Sequence, residues 1–207
     1  MNYIALIVTT MFECHQKLIN MKDNVIRKAA VAALKQDQVI VYPTEAVWGM
    51  GCDPQSEIAV NHLLTIKQRP IEKGLILIAA DFAQVEKYVD IKKLSSDIKQ
   101  QVFDSWPGPV TWLLPCSEIA PHWVTGGSDL IAVRITNHPT VINLCNEFED
   151  AIVSTSANLT GQPTCETLNE LQELFDDKVA VYVDEPLGGN TNPSTIKHAF
   201  TGKVIRS

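Results

Sequence analysis

Two hydrophobic periods alternate along this chain. From Asp23 the apolar residues Val25, Ile26, Ala29, Ala30, Ala33 and Leu34 recur once per helical turn, with Asp23 or Asn24 as the cap. Gln38–Tyr42 then reads as a strand stopped by Pro43, and Val47–Cys52 as a second extended segment. Its two glycines permit close backbone approach. Ser56 caps a helix through Leu63, Leu64 and Ile66. Leu75–Ala80 is wholly apolar and predicts a buried strand. Asp81 caps a short helix to Tyr88, and another helix covers Ser95–Phe103. Trp106-Pro-Gly-Pro109 is a rigid turn leading into a strand at Val110–Leu114. Residues 115–129 read as loop. Leu130–Ile135 is a strand, Pro139 opens a helix to about Phe148, and Ala151–Ala157 is a strand running into Asn158. Thr164 or Thr167 starts a helix through Leu168, Leu171 and Leu174. Val179–Val183 is a strand, and Asp184–Pro193 a loop. Ser194–Lys197 and Lys203–Arg206 form a final strand pair.

Helices and strands interleave with no repeat, linker or low-complexity tract, which predicts one three-layer α/β domain around a twisted sheet. The connections Tyr42 to Val47 and Lys197 to Lys203 are too short for parallel crossovers, so the sheet is mixed. Residues 1–20 read as an extension outside the domain, which spans 21–207. Tyr3–Val8 is apolar but too short to span a bilayer and lacks the flanks of a signal peptide, and Met21 is the expected natural start.

Between the second helix and the Leu75–Ala80 strand lies Lys67-Gln-Arg-Pro-Ile-Glu-Lys73-Gly74, a cationic turn at the rim of a sheet. Ligands of open α/β folds bind at such rims, and lysine and arginine held there suit phosphate or carboxylate. The alternative is a solvated basic loop. Composition narrows the choice. With 45% hydrophobic and 20% charged residues, the 207-residue chain can bury a sizeable core. Its net charge of −7 excludes a general polyanion binder, so a phosphate site would be a local positive island. Five scattered cysteines without Cys-x-x-Cys fit a reducing compartment, and the scattered histidines form no structural zinc pattern.

Neither phosphate-loop glycine motif nor a G-x-S-x-G elbow is present. Polar residues instead gather where strands end: Thr44, Lys67, Arg69, Lys73, Thr111, Arg134 within its strand, and Ser154, Ser156 and Asn158. Ser154 and Ser156 point to one face. Arg134 pairs either with a structural carboxylate or with a ligand anion, since an unpaired charge in a strand is costly. Each residue also has an ordinary reading: Thr44 as a turn hydroxyl, Thr111 as a strand-favouring β-branched residue, the serines as sheet-edge hydrogen bonders. Jointly, cations and hydroxyls suit a triphosphate and a small carboxylate. With no nucleophile–base pair among them, the expected chemistry is positioning and electrostatic stabilisation.

These motifs resemble the YrdC/TsaC family of threonylcarbamoyl-AMP synthases in its short bacterial form. The resemblance covers about residues 21–207. It rests on Val41-Tyr-Pro-Thr-Glu45 with Gly49-x-Gly51, Lys67-x-Arg69-Pro70-x-x-Lys73, Pro107-Gly-Pro-Val-Thr111, Ala132-Val-Arg-Ile135, Ser154-Thr-Ser-Ala-Asn158 and Asn192-Pro-Ser-Thr195, in that order. It implies a concave basic cleft and a cytoplasmic nucleotidyltransferase. Its substrates would be L-threonine, bicarbonate or CO2, and ATP with Mg2+. Its product would pass to a tRNA threonylcarbamoyl-transferase complex for modification beside the anticodon. Thr44 and Ser194 would lie by the threonine. Lys67, Arg69, Lys73 and Arg206 would hold phosphates, with Lys67, Arg69 and Lys73 stabilising the reaction's charge. Thr111, Ser154, Ser156 and Asn158 would line the nucleotide site, and Arg134 would meet the threonine carboxylate or a phosphate. No protein-held metal is implied.

The chain departs from the family pattern at Lys73-Gly74, where Lys-Pro or Asn-Pro is common. It also has Ile78 where many longer relatives carry a histidine, and the second C-terminal domain of those relatives is not expected here. Two rival readings stand beside the synthase. One is an RNA-binding module in tRNA or rRNA maturation, gripping phosphates with a basic concave face. The other is an acyl-phosphate or carbamoyl hydrolase on the same fold.

Overall fold

The computed structural model describes residues 21–206; the expectation for residues 1–20 and the start at Met21 lies outside them. Nine strands form one sheet: β1 (Ile40–Pro43), β2 (Trp48–Gly51), β3 (Ile76–Ala79), β4 (Val110–Pro115), β5 (Leu130–Ile135), β6 (Ile152–Ser156), β7 (Val181–Tyr182), β8 (Thr195–His198) and β9 (Val204–Arg206). Their order is β7-β1-β2-β6-β3-β5-β4-β8-β9. The pairs β1/β7, β3/β5 and β4/β8 are parallel. The short connections predicted to be non-crossover join antiparallel neighbours, β1 to β2 and β8 to β9. The sheet is therefore mixed, with helices packed on it.

The helices are α1 (21–34), α2 (Glu57–Ile66), α3 (Ser96–Asp104), α4 (His122–Thr125), α5 (Pro139–Phe148) and α6 (Leu168–Phe175). Side chains of Ser56, Ser95 and Thr167 cap α2, α3 and α6, each accepting from a first-turn amide. Several details differ from the sequence reading. α1 is already helical at Met21, so neither Asp23 nor Asn24 caps it, and the Val179–Val183 strand is reduced to Val181–Tyr182. Residues 82–88 are two 3-10 turns rather than a short helix. The 115–129 stretch contains α4, which at four residues is too short to show a period. The cationic turn folds into a 3-10 turn at Ile71–Lys73. The inward face of α1 is Ala30, Val31, Ala33 and Leu34, while Val25 is 68% exposed.

Strand alternation gives the sheet two unlike faces. Val41, Met50, Leu77, Ala79, Trp112, Val133 and Val153 point into the larger core, under α2 and α4. On the other face, Ile40, Tyr42, Ile78 and Ile152 pack with α1 and α5. Further along the same strands this second face carries Gly49, Ile76, Leu113, Ala132, Arg134 and Ser154, and these line an open cleft instead. Gly51 lets β2 approach β6 closely, since an added Cβ would come within 2.2 Å of the Val153 carbonyl oxygen. One sheet face is thus half roofed by helices and half left as a binding surface. Ile78, under the roof, is 1% exposed.

Candidate active site

The cleft has a volume of about 480 Å³, within the range of small-molecule sites. Its walls come from the β1–β2 turn, the cationic turn after α2, the β4 and β5 strands, the end of β6, and the hairpin β8–β9. Every candidate side chain from the sequence lines it except Lys67 and Asn158.

Lys67 sits behind the cleft wall. It is 2% exposed, and its Nζ donates to the Ser156 carbonyl and, at 2.7 Å, to the Asn158 carbonyl. The Thr160 amide returns a bond to the Lys67 carbonyl at 3.0 Å. The ammonium therefore binds the cationic turn to the segment after β6. Burial, and then repulsion from Arg69, pull its pKa down to about 8. The amide of Asn158 is likewise spent locally: Oδ1 accepts from Ser156 Oγ at 2.6 Å, and Nδ2 donates to Leu159 O and Gln162 O at 3.0 and 2.6 Å. Sequence reasoning could not separate such scaffold contacts from ligand contacts, because both call for a polar residue at a strand end.

Arg69 reaches the cleft from the same turn. Its Nη2 donates to Gly74 O at 2.8 Å, and its Nε is buried without a partner. Burial lowers its pKa first, and the nearby Arg206 lowers it further. Arg206 on β9 is depressed in the same way by burial and then by Arg134. Arg69, Arg206 and Arg134 thus crowd their positive charges towards one space. That is unfavourable in the empty protein and favourable once an anion enters.

Arg134 is the exception in having a counter-ion. Its Nη2 donates to Glu45 Oε2, and both side chains are buried. Thr136 Oγ1 donates to the other oxygen, Oε1, at 2.6 Å. The pairing with a structural carboxylate is therefore the contact Arg134 makes in the protein itself. Glu45 had been read only as part of the turn motif; its place beside Thr44 was the available signal. Thr44 closes that turn, its hydroxyl donating to Val47 O at 2.6 Å.

On the far wall, Thr111 Oγ1 and Ser194 Oγ are 2.8 Å apart, and Arg206 Nη2 donates to Ser194 O at 2.9 Å. Asn190 and Asn192, from the loop before β8, also line the cleft; Asn190 was not singled out by sequence, and Asn192 only as the first residue of the Asn192-Pro-Ser-Thr195 motif. Cys52 and Cys145 are poor nucleophiles: both are buried, and burial raises both thiols, Cys145 to about 12. Among the described residues no group of three or more His, Cys, Asp or Glu could hold a metal, and no helix is long and apolar enough to cross a membrane.

A basic, hydroxyl-rich cleft on one half of a mixed sheet is chemically suited to an anion. Comparison places it more closely: the family model for Sua5/YciO/YrdC, described as "Telomere recombination", matches residues 32–207, and the chain belongs to that family. It is 54% identical over 186 residues to the threonylcarbamoyl-AMP synthase of Pseudoalteromonas translucida, covering 90% of this chain and 100% of that protein. It is 54% identical over 177 residues to the enzyme of the same name from Klebsiella pneumoniae, covering 86% and 93%. Among solved structures, the P. abyssi Sua5 complex with L-threonine superposes with a TM-score of 0.78 at 30% identity, over 85% of this chain. This chain spans about half the length of that Sua5, 51%.

Proposed function

We propose that this protein is a threonylcarbamoyl-AMP synthase, a nucleotidyltransferase that joins L-threonine, CO2 or bicarbonate, and ATP into threonylcarbamoyl-adenylate and releases pyrophosphate. The observation that carries this reading is the convergence of Arg69, Lys73, Arg134 and Arg206 with Thr44, Thr111 and Ser194 on one cleft, in a chain 54% identical to proteins of that name. A likeness at 30% identity to a Sua5 solved with L-threonine supports threonine as the amino acid.

The chemistry follows from the charges. The threonine amine attacks CO2; an N–C bond forms and a proton leaves, giving an N-carboxylate. An oxygen of that carboxylate attacks the α-phosphorus of ATP, and the bond to the β-phosphate oxygen breaks. Negative charge gathers on the phosphoryl oxygens, where Arg69, Lys73 and Arg206 supply fixed positive charge without reorganisation. Lys67 and Asn158 would act by holding the backbone and the Ser156 hydroxyl in place, with Ser154 beside them on β6. Thr44 and Ser194 would meet the threonine. Mg2+ would enter with ATP as part of the substrate. The product would pass to a tRNA threonylcarbamoyl-transferase complex.

The cations line a cleft of small-molecule size rather than a broad outer surface, which favours small anions over RNA as the principal ligand. The test is direct detection of product. With carbon-labelled bicarbonate, L-threonine and MgATP, mass spectrometry should find labelled threonylcarbamoyl-AMP. Unlabelled AMP alone would contradict the reading.

A further inference from the structure

The β1–β2 turn makes contacts in two directions. Towards the sheet, the Glu45 carboxylate holds Arg134 and Thr136, and Thr136 Oγ1 also accepts from the His138 amide at 3.0 Å. Away from the sheet, its backbone holds the loop 184–193. The Gly188 amide donates to Thr44 O at 3.0 Å and the Asn190 amide to Glu45 O at 2.7 Å. The fit there is close: an added Cβ on Gly188 would stand 2.8 Å from Glu45 Cα and 3.2 Å from the ring of His138. The ring belongs to a residue only 4% exposed. The same loop runs on through Asn190 and Asn192 to Ser194, all on the cleft wall.

We propose that Glu45 is a positioning residue for the amino-acid end of the cleft, fixing Arg134 with its side chain and the 184–193 strap with its backbone. This rests on the synthase reading above for the identity of the amino acid. One carboxylate oxygen holds the guanidinium and the other holds Thr136, so the side chain has no freedom to rotate. The turn it belongs to is then a fixed seat for Gly188 and Asn190. Ser194 is brought to the cleft by the strap, and Arg134 by the sheet. Glu45 sets the spacing between the two.

The test compares Glu45→Gln and Gly188→Ala. Glu45→Gln keeps the shape but removes the charge that orients Arg134. Gly188→Ala leaves Arg134 and Glu45 unaltered and lifts the strap off its seat. Both should raise the KM for L-threonine about tenfold or more. The KM for ATP should stay within about twofold in both. Hydrogen exchange should quicken at the Gly188 and Asn190 amides in Glu45→Gln, a readout that needs no turnover. Unchanged exchange with an unchanged threonine KM overturns the proposal, as does an equal rise in the KM of both substrates. Should Glu45→Gln fail to fold, Gly188→Ala decides alone. Wild-type protein indifferent to threonine would refute the synthase reading, and exchange in Glu45→Gln would still decide the coupling.

Discussion

Lys67 Nζ is bonded to the carbonyls of Ser156 and Asn158, 89 and 91 positions further along the chain, so two motifs distant in sequence form one unit. The lysine of the cationic turn is the post on which the end of β6 is hung. Its charge contributes to the cleft from behind, while Arg69 and Arg206 face the ligand.

Replacing that post has a definite cost. Lys67→Met leaves two carbonyls without their donor in a buried place, which should destabilise the protein by about 1–3 kcal/mol. Chemical denaturation measures this. The same substitution should lower turnover, since Ser156 loses its support.

The lowered pKa of Lys67 gives the stability a pH signature. With the folded value near 8 and an ordinary lysine at 10.5, the unfolded chain holds more protons between those limits. Holding the charged form in the folded state is therefore penalised fully below pH 8. The penalty is relieved as pH rises from 8 towards 10.5. The stability of the wild type relative to Lys67→Met should climb across that window. A flat or falling difference would contradict the assigned environment of the amine.

Arg69 should behave in the opposite way. Beyond its bond to Gly74 O on the cationic turn, its Nε has no partner and its neighbour is another cation, so the folded protein gains little from it. Arg69→Ala should cost about 2–4 kcal/mol of activation free energy, by analogy with lost oxyanion donors. Thermal unfolding should stay close to wild type. Wild-type turnover with wild-type unfolding would remove Arg69 from the site.

Thr111→Val tests the far wall. The change keeps the β-branched shape at a fully buried strand position and removes only the hydroxyl facing Ser194. Loss of one such bond should cost about 1 kcal/mol, read as a fall in kcat/KM. The unaltered enzyme's value in the variant would show that Ser194 needs no help from Thr111.

Several strands were legible because each is a short apolar run bounded by turn residues: Pro43 at the end of β1, the Pro-Gly-Pro turn before β4, Pro139 beyond β5. The cap Ser56 was legible for the same local reason, and Thr167 as one of two possible helix starts. α4 was not, since four residues carry no periodicity, although Pro121 and Gly126 bracket it. Among site residues, those whose polarity interrupts an apolar strand, such as Arg134 and Ser154, stood out from sequence alone. Glu45 did not, because its partner Arg134 lies 89 positions away and its place beside Thr44 was the one local signal. Asn190 was hidden in a loop rich in small polar residues, where composition cannot tell a cleft wall from a solvated turn, and Asn192 was read only as part of a motif.

A protein of net charge −7 whose arginines gather in one small cleft should also be insensitive to bulk RNA. Added tRNA should leave threonine-dependent turnover unchanged at physiological salt, where weak phosphate contacts are screened. Strong, salt-sensitive inhibition by tRNA would favour the RNA-binding reading.

The most direct measurement is pyrophosphate release from MgATP, with and without L-threonine and with and without bicarbonate. Release that requires both is the result predicted for a cleft that binds the amino acid and the triphosphate together. Release indifferent to threonine, or none in any mixture from folded protein, would contradict it.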